Sequence, residues 1–463
     1  MTRFRLLTAL VLALLAFPAG ASASSGQSIA FEAPRELFDT DRRAGALDEI
    51  RAFGVDRVRT LVYWKDHAPS PTSRRRPAFD ASNPDAYPAG TWNRLDGLFR
   101  AAGERNIAVQ LTLTGPVPRW ATRSRRDNVT DPIPSEFQAF ATAVGRRYGD
   151  RVGQWSIWNE PNHPQFLRPQ FKGRRATSPA LYRRLFLAGE AGLRASGNGE
   201  DILLFGETAP RGTPRVVAPL AFLRGSLCLS RSYRRSSRCG AVPADGYAHH
   251  AYTTRSGPRF RPPDGDDVTI GVISRLTRAL DRAGRAGALP RGLSIYLTEF
   301  GIQSAPDPIV GVPLARQAEY LATAEHMAYV NPRVKSFSQY LLSDDRPRPG
   351  NRAARYSGFE SGLRHSDGRT KPAYAAFRLP LAVQSYGRSD VLWGRARPAK
   401  GRTKVTILHS PGKGEPFEEL RTLETNSRGV FGLKAPHRSG QRYRVRWAAP
   451  DGKVWFGPPV RPY

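Results

Sequence analysis

From about residue 27 to residue 380 the chain switches repeatedly between two hydrophobic periods. Eight short runs are apolar with little alternation: QSIAFEAP (27–34), DRVRTLVYW (56–64), NIAVQLTLT (106–114), VGQWSIW (152–158), DILLFGET (201–208), DGYAHHAY (245–252), LSIYLTEF (293–300) and VKSFSQYLL (334–342). Such runs fit strands buried on both faces. Between them the apolar positions recur at helical spacing. RAGALDEIRAFG (43–54) lines up Ala46, Ile50 and Phe53, and WNRLDGLFRAAGERN (92–106) lines up Leu95, Leu98, Phe99 and Ala102. PSEFQAFATAVGRRYG opens with Pro134 and Ser135 and carries Phe137, Phe140, Ala141 and Val144 on one stripe. Gly54, Gly149 and Gly197 stand where helices should end. The segment after the fifth strand, PRVVAPLAFLRGSL, is interrupted by proline and predicts the weakest helix. Strands alternating with helices call for a parallel sheet, and eight repeats predict a closed (β/α)₈ barrel, the TIM barrel of the α/β class. An open doubly wound sheet is the alternative, but no Gly-rich phosphate loop follows the first strand.

Near residue 380 the pattern becomes all-β. KVTILHS, GVFGLKA, QRYRVRWAAP and KVWFGPPV are short strands separated by Gly, Pro and Lys, with period-two alternation clearest at Tyr443, Val445 and Trp447. They predict a small β-sandwich over 381–463, either an accessory packing domain or a carbohydrate- or wall-binding module. At the other end, Arg3 and Arg5 precede a leucine-rich run to Phe17 and then Ala21-Ser22-Ala23, which reads as a signal peptide over 1–23. Its apolar run is short for a membrane span, which needs about 20 residues. The expectation is a secreted or extracytoplasmic protein with a catalytic unit at 28–380; an uncleaved membrane anchor is the alternative.

Composition changes this picture in two places. The two cysteines, Cys228 and Cys239, sit in one short basic loop and should form a disulfide outside the cytoplasm. They offer no ligand set for a metal, and none is expected. The formal net charge is +31, with clusters at 73–77 and 230–238. Arginine is spread along the whole chain, and neither zinc-finger spacing nor an RNP-like strand occurs, so no nucleic-acid partner is expected. A solvated arginine-rich surface is the plain reading of this charge, and attraction to anionic cell-wall polymers or acidic glycans is the partner it admits.

Catalytic side chains of a (β/α)₈ barrel sit where strands end. Those ends carry Arg59 and Trp64, Trp120, Asn159 and Glu160, Glu207, His249, His250 and Tyr252, Glu299, and Gln339 and Tyr340. Two carboxylates across one mouth, walled by aromatics, are what glycoside hydrolysis needs: one protonates the leaving oxygen while the other attacks or activates water. IWNEPN at the fourth strand end and LTEFG at the seventh resemble the paired signatures of clan A glycoside hydrolases, closest to the family 39 and family 5 type, over roughly residues 28 to 380. The resemblance implies a retaining hydrolase of a β-linked oligo- or polysaccharide, without cofactor. Glu160 would be the acid/base and Glu299 the nucleophile, and Asn159 would bind the sugar 2-hydroxyl. His250 would contact substrate, Tyr252 would stand beside the nucleophile, and Arg59 would support it. Many clan members place a tryptophan at the eighth strand end; here SQYLLSDD leaves Tyr340 as its replacement.

Trp64 and Trp120 complete the expected sugar-stacking wall. Glu299 must be ionised to attack, and Arg59 favours its anion; Glu160 must begin protonated, favoured by an apolar wall from Trp158 and by neighbouring negative charge. Glu207 reads as a structural or subsite-shaping residue and His249 as a buried, hydrogen-bonded one. A catalytically silent barrel that binds carbohydrate or an anionic polymer is the alternative function.

Overall fold

The computed structural model describes residues 26–399 and 401–463. The expected leader at 1–23 lies outside the described residues. Eight parallel strands form one sheet: β1 (Ser28–Glu32), β2 (Arg57–Tyr63), β3 (Ala108–Thr114), β4 (Gln154–Ile157), β5 (Ile202–Thr208), β6 (Gly246–His250), β7 (Ser294–Glu299) and β8 (Val334–Tyr340). Each pairs with the next, and β8 closes on β1 from Ser28–Ser336 to Glu32–Tyr340, so the barrel has no edge.

The outer ring is α1 (Thr40–Ala52), α2 (Asn93–Gly103), α3 (Pro134–Tyr148), α4 (Ser178–Ala195), α5 (Pro219–Ser226), α6 (Ser274–Arg285), α7 (Leu314–Tyr329) and α8 (Pro372–Arg378). The Asp39 side chain caps α1 by accepting from the amides of Asp41 and Arg42, which otherwise have no partner. Phe137, Phe140, Ala141 and Val144 of α3 are buried, as their spacing predicts. In α6, Leu276, Ala279, Leu280 and Ala283 are buried. The proline-punctuated segment gives the short α5.

Connections on the two ends of the barrel differ in length. Returns from helix to strand are brief, such as 53–56, 104–107 and 330–333. The opposite end carries 64–92, 115–133, 158–177, 251–273 and 341–371. The C-terminal strand ends therefore lie under most of the irregular chain, where a site can be built.

Seven strands follow: β9 (Leu381–Tyr386), β10 (Ser389–Arg395), β11 (Lys404–Ser410), β12 (Glu418–Glu424), β13 (Val430–Pro436), β14 (Arg442–Ala448) and β15 (Val454–Phe456). A three-stranded sheet, β9-β10-β13, packs on a four-stranded one, β12-β11-β14-β15, over Val383, Leu392, Ile407, Phe431, Val445 and Trp447. This is the predicted sandwich. It docks on the barrel through a buried Arg397–Glu325 pair and through Trp393, stacked on His326 at 5.1 Å.

Candidate active site

Side chains alternate faces along a strand, so an inward Arg59 on β2 and His250 on β6 follow from strand geometry. The same alternation would turn the fourth, fifth and seventh strand ends the wrong way. Ile157 faces outward against Gly189 of α4, so Trp158 should point in and Asn159 out. Instead Trp158 adopts φ 71 and packs 5.3 Å from Phe137 of α3, and Asn159 turns inward to accept from Arg59 Nη2 at 2.8 Å. Phe205 on β5 likewise faces α4, 4.9 Å from Phe186. Glu207 is then an extra residue between the Gly206–Ala248 and Thr208–His249 pairs, and its φ of 49 brings the carboxylate in to Arg59. Only glycine suits position 206, with φ 116 and a Cβ that would sit 2.6 Å from the Ala248 carbonyl. On β7 the extra residue is Thr298, which leaves Glu299 paired with His250 and on the same face. The irregularities of β5 and β7 are β-bulges, the usual means of re-aiming a side chain beside a site. Glu160 itself sits at φ 38, its amide donating to the Glu207 carbonyl at 3.0 Å.

The result is a cluster of four carboxyls around two cations. Arg59, fully buried, donates from Nη1 to Glu32 and to Glu299 Oε1 at 2.7 Å, from Nη2 to Glu207, and from Nε to Thr112 Oγ1 at 3.1 Å. His250, also buried, places Nδ1 3.0 Å from Glu160 Oε1 and 3.5 Å from Glu299 Oε2, with Nε2 3.3 Å from Glu207 Oε2. Tyr252 donates its hydroxyl to Glu299 Oε2 at 3.1 Å.

Burial opposes a charge on His250, but Glu299, Glu160 and Glu207 outweigh it and hold its pKa near 10. Burial also opposes the Glu207 anion; Arg59 first and then His250 reverse this and lower its pKa to about 2. At Glu32 burial prevails over Arg59 and, with Glu299 adding its repulsion, raises the pKa to about 8. The raised value favours the neutral form of Glu32, and the lowered one the anion of Glu207.

A cavity of about 680 Å³ opens onto this cluster, with Glu160, Glu299, Asn159, Glu32, Tyr252 and Tyr340 in its wall. Sequence-predicted residues Arg59, Asn159, Glu160, His250, Tyr252, Glu299 and Tyr340 thus come together. Trp64 and Trp120 do not. Both are buried, edge to face at 6.0 Å, with Trp64 stacked on Phe140 at 5.5 Å and Trp120 Nε1 donating to the Pro69 carbonyl. Trp64 follows inward-facing Tyr63 and so falls on the outer side, where it fills the core. The aromatic wall is instead Tyr63, Phe166, Tyr252, Tyr340 and Phe359.

Trp158, expected as an apolar wall for Glu160, packs away on Phe137 and donates from Nε1 to the Phe166 carbonyl at 3.0 Å. His249 is buried, bound to Thr208 and the Val268 carbonyl, and burial lowers its pKa to about 4. Glu32 escaped sequence reasoning, although a carboxylate ending the first strand was signal enough. Cys228 and Cys239 form a disulfide outside this site.

No family profile matches the sequence, and no curated protein does. Solved structures resemble it. A family 39 glycoside hydrolase from the gut symbiont Bacteroides cellulosilyticus WH2 aligns with TM-score 0.52 and 16% identity over 90% of this chain and 80% of that one. A GH5_18 protein from Streptomyces cattleya, solved with GlcNAc, gives 0.48 and 21% over 76% and 78%. The exo-β-1,4-mannosidase Op5Man5 from Opitutaceae bacterium strain TAV5 gives 0.46 and 18% over 77% and 60%. What the chain shares with the family 39 enzyme is its fold. Its neighbours in structure are clan A glycoside hydrolases.

Proposed function

We propose that this protein is a retaining glycoside hydrolase acting on a β-linked oligo- or polysaccharide, with Glu299 as nucleophile and Glu160 as acid/base. The observation that carries the reading is that both carboxylates reach one imidazole nitrogen, at 3.0 and 3.5 Å. That bounds the gap between their nearest oxygens by the sum of the two distances, which brings both carboxyls to one site, while retention itself rests on the resemblance. Glu299 is held by Arg59 and Tyr252 while keeping an edge on the cavity.

Retention would have Glu160 protonate the leaving oxygen as Glu299 attacks and then, with Glu299 esterified by the sugar, take a proton from the attacking water. One carboxyl would thus serve as acid and then as base. Asn159, fixed by Arg59, would bind a sugar hydroxyl, and the aromatic wall would stack on rings.

The disulfide supports a place outside the reducing cytoplasm. Among the described residues no helix is long and apolar enough to cross a membrane. We take 28–380 as the catalytic unit and 381–463 as its accessory domain.

The test is hydrolysis of a panel of aryl β-glycosides and β-linked oligosaccharides by wild type, Glu160→Ala and Glu299→Ala. Activity in wild type, lost in Glu299→Ala and returned by azide as a glycosyl azide of inverted anomer, is the expected result. Hydrolysis that survives Glu299→Ala would sink the assignment. Glycan binding without hydrolysis anywhere on the panel would replace it with a silent barrel.

A further inference from the structure

The sandwich holds a second polar cluster, independent of the barrel mouth. Asp390, on β10, is fully buried, yet it has four side-chain partners. Ser385 donates to its Oδ1 at 2.9 Å and His437 Nδ1 lies 2.8 Å from the same oxygen. On Oδ2, Tyr443 donates at 3.2 Å and Gln441 Nε2 donates as well. Gln441 is held in turn by His409 Nε2, 3.0 Å from its Oε1. A buried carboxylate is tolerable only when so satisfied. The network fixes the Nδ1 edge of His437 and leaves Nε2 as its remaining polar atom.

His437 lines a concavity of about 380 Å³ whose other walls include Lys413, Arg438, Ser439, Gln441 and Arg461. These come from three places: the β11–β12 loop, the β13–β14 loop and the C-terminal tail. Lys413, Arg438 and Arg461 are exposed, and among the described residues none has a carboxylate within ion-pair distance. No acidic side chain lines the concavity. Unpaired exposed cations occur elsewhere on the sandwich too, as at Lys404, Arg421 and Lys434, but those stand on strands and do not line this hollow. Three unpaired cations converging on one hollow, beside an imidazole oriented from below, form a receptor for negative charge rather than a solvated face.

We propose that this concavity binds the carboxylate or sulfate groups of an acidic polysaccharide, which makes the sandwich an anionic-glycan-binding module. Lys413, Arg438 and Arg461 supply the charge, and His437 is the oriented hydrogen-bonding group at the base. The site does not depend on the barrel's chemistry.

The test uses the full chain and three probes at physiological salt: polygalacturonate for carboxylates, dextran sulfate for sulfates, and a DNA oligonucleotide. Neutral dextran is the blank. The variant Lys413→Ser/Arg438→Ser/Arg461→Ser is compared with a charge-matched control, Lys404→Ser/Arg421→Ser/Lys434→Ser, on the exposed positions of β11, β12 and β13. The expected result is a loss of about tenfold or more in affinity for polygalacturonate or dextran sulfate in the first variant, since one charge-assisted hydrogen bond is worth about that much, and a clearly smaller loss in the control. Whichever polymer shows the difference identifies the anionic group. Equal losses in both variants would mean diffuse attraction to a +31 chain and would overturn the site. A differential loss on DNA alone would overturn the polysaccharide assignment. If the triple variant melts lower than wild type, single Arg438→Ser and Arg461→Ser variants carry the same comparison. Hydrolysis of small aryl glycosides should be unchanged throughout, which separates this proposal from the catalytic one.

Discussion

Four glutamates end barrel strands beside the same two cations, and they divide into two pairs. Glu160 and Glu299 keep 18% and 10% of their side chains exposed, on the cavity; Glu32, at its wall, keeps only 4%, and Glu207 none. All four lie within hydrogen-bond distance of Arg59 or His250, so contact with the cations does not distinguish them. Access does. A carboxylate closed in by protein can set charge and geometry, but only one open to the cavity can reach a sugar. The buried pair is not idle, because both hold the guanidinium that also binds Glu299 and Asn159.

The largest effects should fall on the open pair. Glu299→Ala and Glu160→Ala should each lower kcat by about 10⁴ or more on substrates with poor leaving groups, with the melting temperature little changed. Next comes Glu207→Gln, which leaves Arg59 and His250 short of a buried partner. It should cost on the order of 3 kcal/mol of stability, read by denaturant unfolding, while retaining measurable turnover. If instead it keeps full stability and loses all turnover, the division between the pairs is wrong. Tyr252→Phe removes one hydrogen bond to Glu299, the proposed nucleophile, and should lower kcat about tenfold with little change in stability.

Glu32→Gln sharpens the comparison through pH. The folded-state pKa of Glu32 is raised from 4.5 to about 8, so its favourable contribution is present below the unfolded value and is lost as pH rises through the folded one. The variant lacks that loss. Its melting temperature relative to wild type should therefore climb between about pH 4.5 and pH 8, and a difference that does not change with pH would contradict a proton on Glu32. The smallest effect is expected of Trp120→Phe, about 1–2 kcal/mol of stability with KM unchanged, because that ring packs the core rather than the cavity. Phe166→Ala, on the cavity wall, should raise KM instead.

The barrel was legible because its strands are apolar runs and its helices amphipathic stripes. The fourth and seventh strand ends put Glu160 and Glu299 among the candidate carboxylates, and the resemblance singled the two out. Which way side chains face was not legible, since alternation counted from Ile157 or Phe205 gives the wrong answer after a bulge. Trp64 and Trp120 were misplaced for a related reason: an aromatic at a strand end can fill the core or wall the cavity, and only packing decides. On β12 the pairs Ile407–Arg421 and Leu408–Glu419 leave Leu420 as an extra residue, so Leu420 and Leu423 lie three apart and hide a strand whose side chains are mostly exposed. The four-carboxyl cluster required Glu32 and Glu207 to be brought to one guanidinium from strands far apart in sequence. Strand-end inventory names such residues but cannot join them.

The reversed backbone at Trp158 has a consequence for anyone moving this site elsewhere. Grafting Asn159, Glu160, Glu207 and Glu299 onto the matching positions of a regular barrel would transplant four side chains and aim three strand ends outward. What must travel is the irregularity itself: an indole parked against α3, a glycine before the fifth-strand glutamate, and one surplus residue in the seventh strand. The inheritable unit of this chemistry is a set of kinks, with the acids as their cargo.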